Sequence, residues 1–343
     1  MKRILLTLLA SILTVVPDLY AAEPKKVIVC TVTYGFRHDS IPLAEKTLQR
    51  LGEESGAFKV VELVNQSTLP RMRKPSAPKK PGDLKPDADE KVKAKAAEEM
   101  KKFADEQAKF EAAIAKWNAE DGDKKQFETE TAWNADMKVR MTKLSPENLR
   151  AQGIDAVIFA NTTGDLPLPD KEGFIKWIED GHGFMAVHSA SDTFHGFKGY
   201  TDMLQGEFET HGLQVPADLM AADQAHPANA GIGAKWNLTQ EEMYLIKNQD
   251  RTKVRALWYL NHHPNKLEDK GFFPVSWCRN AGQGRVFYTS LGHRDDLWSD
   301  DPTLKDRKNP VETSKRYHAH LLGGIKWALG LAEGSAAPNP EVK

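Results

Sequence analysis

The sequence contains little that would crosslink a fold or attract a charged polymer. Among 343 residues there are only two cysteines, Cys30 and Cys278, and each lies in an apolar, strand-like run. Such a pair can be a disulfide or two small buried side chains, and the second interpretation is favoured. Lysine and arginine (47) nearly balance aspartate and glutamate (48), for a formal net charge of -1. With no globally basic surface, we expect no nucleic-acid partner.

Long hydrophobic runs are also lacking, apart from one at the start. Lys2 and Arg3 precede the apolar stretch ILLTLLASILTVV, and the small residues Ala21 and Ala22 follow it. This order is typical of a secretory signal peptide, and the apolar stretch is short for a membrane anchor. We predict that residues 1–22 are a signal peptide and that the mature chain is periplasmic or secreted, without membrane attachment. An uncleaved anchor is the alternative.

The rest of the chain alternates between strand-like and helix-like segments. A β-branched run ends at Gly35, an amphipathic segment follows, and a second strand-like run begins at residue 58. The alternation resumes near residue 145, with apolar runs at 155–161 and 183–187. Strands that are apolar on both sides predict a parallel sheet with helices on both faces. Four strand-like runs between 235 and 293 have little helix between them and predict an antiparallel extension.

Residues 71–140 interrupt this α/β pattern. They combine a proline-rich linker with a charged, helix-forming segment whose apolar positions are sparse. We predict an insertion that forms a long exposed helix or a helical hairpin, serving either as a solvated spacer or as a lid or arm that binds a partner protein. The α/β domain then extends over residues 23–330, and the small, polar tail 331–343 is expected to be disordered.

Polar residues follow several predicted strands. In open parallel sheets, ligands bind beyond the carboxyl ends of the strands. We therefore expect a site at this edge, and its candidate residues are Arg37, His38, Thr163, Asp165, His188, Ser189, Asp192, His195, His263 and His293.

Imidazole and carboxylate groups can transfer protons near neutral pH, and imidazoles can also bind a divalent metal such as zinc. His188, His195 and His293 are the candidate metal ligands, although a loop rather than a helical zinc motif separates the first two. Ser189 lacks the glycines that flank a serine-hydrolase nucleophile, so a serine hydrolase is a weaker alternative. His211 is equally consistent with a site and with the surface.

Six stretches together resemble the ThuA-like (trehalose utilisation) family. They are YGFRHDSI at 34–41, DAVIFANTTGDL at 155–166, GFMAVHSASDTFHGFKGY at 183–200, AHPANAGI at 225–232, EEMY at 241–244 and PVSWCRNAGQGRVFYTSLGH at 274–293. The resemblance implies a flavodoxin-like sheet similar to that of class I glutamine amidotransferases. In those enzymes the turn after the fourth strand carries a nucleophilic cysteine, and here His188 takes its place. This argues against glutaminase activity. The insertion at 71–140 departs from the family pattern.

The resemblance also implies carbohydrate catabolism. The expected activity is that of an exported enzyme that hydrolyses, eliminates or isomerises a (3-keto) disaccharide or glycoside. A 3-keto group acidifies the neighbouring carbon, so one base and one electrophile can expel the glycosidic oxygen. The catalytic residues would be His188, Asp192, His195, His263 and His293, with His188 or His293 as the base.

The remaining candidates would bind the substrate. Arg37, His38 or a bound metal would stabilise an enolate, Thr163 and Asp165 would hold sugar hydroxyls, and Ser189 would lie beside them. The alternative to an enzyme is a non-catalytic sugar-binding or scaffolding partner of a sugar oxidoreductase, docked through the 71–140 insertion.

Overall fold

The computed structural model describes residues 23–85, 88–266 and 268–342, so the predicted signal peptide lies outside the described residues. In these ranges no helix is long and apolar enough to cross a membrane. The strands are β1 (Lys25–Cys30), β2 (Phe58–Val64), β3 (Ala156–Ala160), β4 (Gly183–Val187), β5 (Glu207–His211), β6 (Val215–Ala221), β7 (Lys235–Glu241), β8 (Tyr244–Lys247), β9 (Arg255–His262), β10 (Lys270–Ala281) and β11 (Gly284–Thr289). The helices are α1 (Ile41–Ser55), α2 (Glu90–Ala119), α3 (Gly122–Met141), α4 (Pro146–Ala151), α5 (Lys171–Glu179), α6 (Lys198–Leu204), α7 (Asp295–Trp298) and α8 (Val311–Ala328).

Nine strands form one mixed sheet in the order β2-β1-β3-β4-β11-β10-β9-β6-β7. The first five are parallel, and the pairs from β11 to β7 are antiparallel. Strands β5 and β8 form a separate antiparallel ribbon. The parallel half has the flavodoxin-like order 2-1-3-4-5, with β11 as its fifth strand. This confirms the predicted fold class, including its antiparallel extension.

Two apolar layers cover the faces of the sheet. Every residue of β3 and β4 is buried, as expected for parallel strands between two layers of helices. Leu48 of α1 and Leu321 of α8 pack on one face, and Phe174 and Trp177 of α5 pack on the other. Both cysteines are buried free thiols, Cys30 on β1 and Cys278 on β10.

The charged insertion is a helical hairpin whose two helices differ in burial. Among the described residues of α2, only Trp117 is buried. In contrast, α3 buries Trp133, Met137 and Met141 in the apolar layer that also contains Val32. The insertion is therefore not wholly exposed, because its second helix covers part of the sheet.

The C-terminal tail differs from the disordered segment that the sequence suggests. The side chain of Asn339 is buried and bonds both the N–H and the C=O of Ala256 in β9. Arg255 donates to the carbonyl of Ala337, and Arg251 donates to that of Pro340. The amide of Asn339 thus satisfies the N–H and the C=O of Ala256, and this fixes the position of the tail.

One predicted strand is divided in the structure. The run KWNLTQEEMYLI forms β7 in the large sheet and β8 in the small ribbon, with Glu242 and Met243 between them. The chain changes sheets at this point, which directs the two glutamates toward the carboxyl ends of the parallel strands.

Candidate functional site

Four side chains from distant parts of the chain meet at one edge of the sheet. His38 lies before α1, His188 directly follows β4, Glu242 lies between β7 and β8, and His293 follows β11. One ligand atom from each lies within 4.8 Å of all the others. His38, His188 and Glu242 are buried and His293 is half-buried. These residues are called the histidine–glutamate cluster below.

The backbone and hydrogen bonds of His188 fix its ring. Its φ of 54° lies in the left-handed region, which non-glycine residues rarely adopt and which turns the chain sharply after β4. Its Nδ1 lies 2.7 Å from the carbonyl oxygen of Ser290, so Nδ1 carries the proton. The lone pair of Nε2 then faces the cluster, where the hydroxyl of Tyr244 donates to it over 2.9 Å.

His38 presents its own Nε2 to the same point. The two Nε2 atoms of His38 and His188 are 3.2 Å apart, and Nδ1 of His38 lies 3.3 Å from Oγ of Ser189. Oε2 of Glu242 is 3.8 Å from Nε2 of His188 and 3.2 Å from Nδ1 of His293. In a tetrahedral site with metal–nitrogen bonds of about 2.0–2.1 Å, two imidazole nitrogens lie roughly 3.3–3.4 Å apart. The donor set therefore fits a divalent transition metal.

Burial and neighbouring charges set the protonation of the cluster. Burial and the adjacent His293 lower the pKa of His38 to about 4, and burial with its histidine neighbours lowers the pKa of His188 well below its usual value. Burial alone would lower the pKa of His293, but Glu242 and Glu241 outweigh it and raise that pKa. Burial alone would raise the pKa of Glu242, but its bond with His293 lowers it. The cluster thus offers two neutral imidazoles and a carboxylate, beside an imidazole that retains its proton more strongly.

Glu241 holds the backbone of the loop that carries His293. Its fully buried Oε1 accepts hydrogen bonds from the N–H groups of Gly292 (3.0 Å) and His293 (2.8 Å). Burial raises the pKa of this carboxyl to about 7. Gln214 donates from Nε2 to Nε2 of His293 over 2.8 Å. The loop after β11 is therefore held in place at both its backbone and its histidine ring.

A cavity of about 220 Å³ opens beside the cluster. Its wall is partly aromatic, since the rings of Phe208 and Tyr244 lie 4.6 Å apart. Thr163 and Phe36 are joined in the lining, because the hydroxyl of Thr163 donates to the carbonyl of Phe36. The lining residues are Phe36, His38, Thr163, Ser189, Asp192, Phe208, His211, Glu242 and Tyr244.

The structure brings together only part of the residue set expected from the sequence. His38, His188 and His293 meet in the cluster, and Thr163, Ser189 and Asp192 line the adjacent cavity. Four candidates belong neither to the cluster nor to the lining of this cavity, and they are Arg37, Asp165, His195 and His263.

Each of these four has other partners. Arg37 donates to the carbonyl of Thr31, and Asp165 pairs with Lys171. His263 is buried with its ring against Phe273.

His195 also lies apart from the proposed ligand set. Its two ring nitrogens contact the carboxylates of Asp192 and Glu207. Both of its ring nitrogens are therefore engaged by these carboxylates, whereas His188 and His293 each have one ring nitrogen in the cluster. Asp192 still connects His195 to the cavity.

Glu242, Glu241 and Tyr244 were not among the sequence candidates. They lie in the stretch EEMY, which alternation alone presents as the middle of a strand. Two consecutive glutamates in an apolar strand pattern were the available signal, since one of them must then face the interior.

The fold and site define an α/β protein with a histidine–glutamate centre at the carboxyl edge of a flavodoxin-like sheet. The sequence matches the model of the ThuA family, described as trehalose utilisation, over residues 87–328, and the chain belongs to that family. Membership places it broadly in carbohydrate utilisation.

Two solved structures share this fold. A ThuA-like protein from Parabacteroides merdae has a TM-score of 0.54 and 15% identity, covering 93% of this chain and 99% of its own. A ThuA-like protein from Bacteroides uniformis has a TM-score of 0.53 and 15% identity, covering 96% of this chain and 100% of its own. No curated protein matches the sequence.

Proposed function

We propose that this protein is an exported enzyme of carbohydrate catabolism that cleaves or isomerises a keto-disaccharide or keto-glycoside at the histidine–glutamate cluster. The observation that carries the proposal is the approach of two neutral Nε2 atoms, 3.2 Å apart, beside the carboxylate of Glu242. Two lone pairs directed at one point repel each other unless a proton or a cation lies between them. Such a pair beside an open cavity is a site for chemistry rather than for packing.

A divalent ion is the cofactor that this donor set supports. His38, His188 and Glu242 would hold it, and the bond from Nδ1 of His188 to the carbonyl of Ser290 is the kind of contact that orients a ligating imidazole. When bound, the ion would polarise a sugar carbonyl as a Lewis acid.

Two groups of the chain can move protons next to this point. His293 has a raised pKa and direct contact with Glu242. Asp192 lines the cavity, with His195 bonded to its carboxylate. In an elimination, one of these bases takes the proton from the carbon beside the keto group. The enolate then expels the glycosidic oxygen with its bonding electrons, and that oxygen takes up a proton.

The test compares His188→Asn with two control variants. Asparagine tolerates the left-handed backbone of residue 188 but removes the Nε2 donor. We expect His188→Asn to lose stoichiometric zinc and to lower turnover of a 3-keto-disaccharide by about 10²-fold or more, within the range for a directly acting group. His195→Ala should keep the metal, since His195 lies outside the cluster. His262→Ala on β9 should change neither property.

The measurements are elemental analysis of the zinc-loaded protein, circular dichroism for folding, and product formation. Full turnover by a folded His188→Asn protein would contradict the enzymatic assignment, and loss of metal from His195→Ala would contradict the ligand set. Export is part of the proposal and is checked by the intact mass of the protein from the exported fraction. We expect that mass to lack residues 1–22.

A further inference from the structure

Asp192 and His293, the two groups that can move protons beside the cluster, differ in their access to the cavity. Asp192 lines the cavity of about 220 Å³ together with His38 and Glu242. His293 is not among the described residues of that lining. Its Nδ1 is 3.2 Å from Glu242, and its Nε2 is 2.8 Å from Nε2 of Gln214. Of the two groups, Asp192 is therefore the one that a substrate in this cavity contacts.

The carboxylate of Asp192 has one engaged oxygen and one free oxygen. Its Oδ1 lies 2.5 Å from Nε2 of His195. Its Oδ2 makes no hydrogen bond or ion pair within the part of the chain that the structure describes. The side chain is half-buried at the cavity. A general base needs a free lone pair within hydrogen-bond reach of the proton that it removes, and Oδ2 provides one.

His195 bridges two carboxylates and is therefore charged. Its Nε2 contacts Asp192, and its Nδ1 contacts Oε1 of Glu207. A neutral imidazole has one N–H and donates to only one of these carboxylates, whereas an imidazolium donates to both. Burial alone would lower the pKa of His195, but its bonds with Asp192 and Glu207 outweigh burial and raise that pKa. The ring thus places a positive charge against Oδ1 of Asp192.

Glu207 holds the other side of the imidazolium. It is the first residue of β5 and is paired in the ribbon with Lys247 of β8, whose Nζ lies 3.1 Å from Oε1. Asn248 donates to Oε2 over 3.1 Å. Both oxygens of Glu207 are therefore engaged. Because β5 and β8 also form part of the cavity wall, these contacts tie Asp192 to the ribbon that encloses the cavity.

We propose that Asp192 is the catalytic base and that His195 is a positioning residue that holds the Asp192 carboxylate at the cavity. Oδ2 takes the proton from the carbon beside the keto group. The C–H electron pair forms a carbon–carbon double bond as the carbonyl π electrons move to the keto oxygen, so the carboxylate becomes a carboxylic acid and the substrate an enolate. Glu207 keeps the imidazolium in place during this change of charge. This inference rests on the proposed function and assigns the base within it.

The test is a double-mutant cycle in which kcat and KM are measured for a 3-keto-disaccharide. Asp192→Asn removes the base but keeps the shape of the side chain, so kcat should fall by about 10²–10⁴-fold while KM changes by less than about threefold. His195→Asn removes the positive charge and should lower kcat by about tenfold. The double variant should be no slower than Asp192→Asn, because His195 acts only through that carboxylate.

The matched controls are Asp105→Asn on the exposed surface of α2 and His262→Asn on β9, neither of which lines the cavity. Neither control should alter kcat. Elemental analysis and circular dichroism should show that every variant keeps zinc and the fold. As a second variant, Asp192→Ala should regain turnover when formate is added, because this small carboxylate can replace the missing base. His195→Asn should not respond to formate.

Full kcat in a folded, zinc-loaded Asp192→Asn protein would overturn the choice of base, and so would the failure of formate to restore turnover to Asp192→Ala. An equal loss from His195→Asn in the original and in the Asp192→Asn background would overturn the positioning role. No turnover by the original protein would reject the proposed function and this inference with it. Turnover that survives Asp192→Asn would reject this inference alone.

Discussion

Gly292 lies where the loop after β11 passes close to His188. Its φ is 128°, and a β-carbon there would lie 2.7 Å from the hydroxyl of Tyr317 and 3.3 Å from Cβ of His188. Its N–H also donates to Glu241. The close approach of the loop after β11 to the turn after β4 therefore requires a residue without a side chain.

We expect Gly292→Ala to destabilise the protein by about 1–3 kcal/mol and to impair zinc binding, because the new methyl group pushes against Tyr317 and His188. The matched control is Gly233→Ala. Gly233 also has a positive φ, 96°, but a β-carbon there has no described atom within 4 Å. Urea unfolding and zinc titration of both variants check this prediction. Equal zinc affinities of the two variants would show that the steric contact at Gly292 does not determine the geometry of the metal site.

His188 also shows how far a single residue could be predicted. Its place after a buried strand was evident from the sequence, because polarity begins abruptly there. Its partners were not, since the carbonyl of Ser290 and the hydroxyl of Tyr244 are 102 and 56 residues away in the chain. His195 also follows this strand in the sequence, but its ring nitrogens contact the carboxylates of Asp192 and Glu207. Only the three-dimensional positions of these carboxylates determine that pairing.

At the scale of elements, the two helices of the insertion have unequal structural roles. Trp133 of α3 is 2% exposed, its ring lies 5.1 Å from that of Tyr34, and the guanidinium of Arg71 is 4.6 Å above it. The burial of α3 is not evident from the composition of the insertion, because charged residues dominate both helices and the apolar positions are few.

We expect Trp133→Ala to lower the free energy of unfolding by about 3–5 kcal/mol, as for a large aromatic side chain removed from a core. Phe127→Ala, on the exposed side of the same helix, should change it by less than about 0.5 kcal/mol. Chemical denaturation of the two variants provides the measurement. Similar small losses would mean that α3 is as peripheral as α2.

The element that sequence patterns described least well is the junction of β7 and β8. Alternation of apolar residues predicted one strand, which is correct for the local backbone on both sides. The interruption at Glu242 and Met243 arises because β8 pairs with β5, whose partner could not be read from local sequence. Long-range pairing, rather than local propensity, thus placed the cluster carboxylate.

At the scale of the whole molecule, buried neutral histidines link stability to pH. Burial lowers the pKa of both His226 and His320 to about 4. His320 bonds the carbonyl of Ala228 through Nδ1, and His226 accepts from the N–H of the same residue. In the unfolded chain each imidazole titrates near 6.5. Their stabilisation is therefore complete above about pH 6.5 and decreases as the pH falls toward 4.

We expect the free energy of unfolding to fall by about 2 kcal/mol for each of these two histidines as the pH is lowered from 7.5 to 5.0. The reason is that the unfolded state binds a proton that the folded state excludes. In His320→Asn, the side-chain amide can still donate to the carbonyl of Ala228 but does not titrate. This variant should show a correspondingly flatter dependence of unfolding free energy on pH. The same slope in the variant and in the original protein would exclude His320 as a source of acid sensitivity.

The sheet as a whole was the most predictable feature, since buried strands and amphipathic helices alternate along the chain and β-α-β crossovers make neighbouring strands parallel. The tail and the cluster were less predictable, because both depend on contacts between distant parts of the chain. Asn339 and Glu242 each have a position fixed by partners from another part of the chain. The sequence provides no signal for Asn339, and the pair of glutamates at 241–242 indicates only that one of them faces the interior.

The spacing of the cluster along the chain, from His38 to His293, has a consequence for how the protein would acquire an ion. Its donors converge only after the parallel strands and the β7–β8 junction have formed, so a nascent or translocating polypeptide presents them as isolated, weak ligands. Loading would thus follow maturation. The ion present in the compartment where folding finishes, rather than where synthesis occurs, would determine which metal the protein carries.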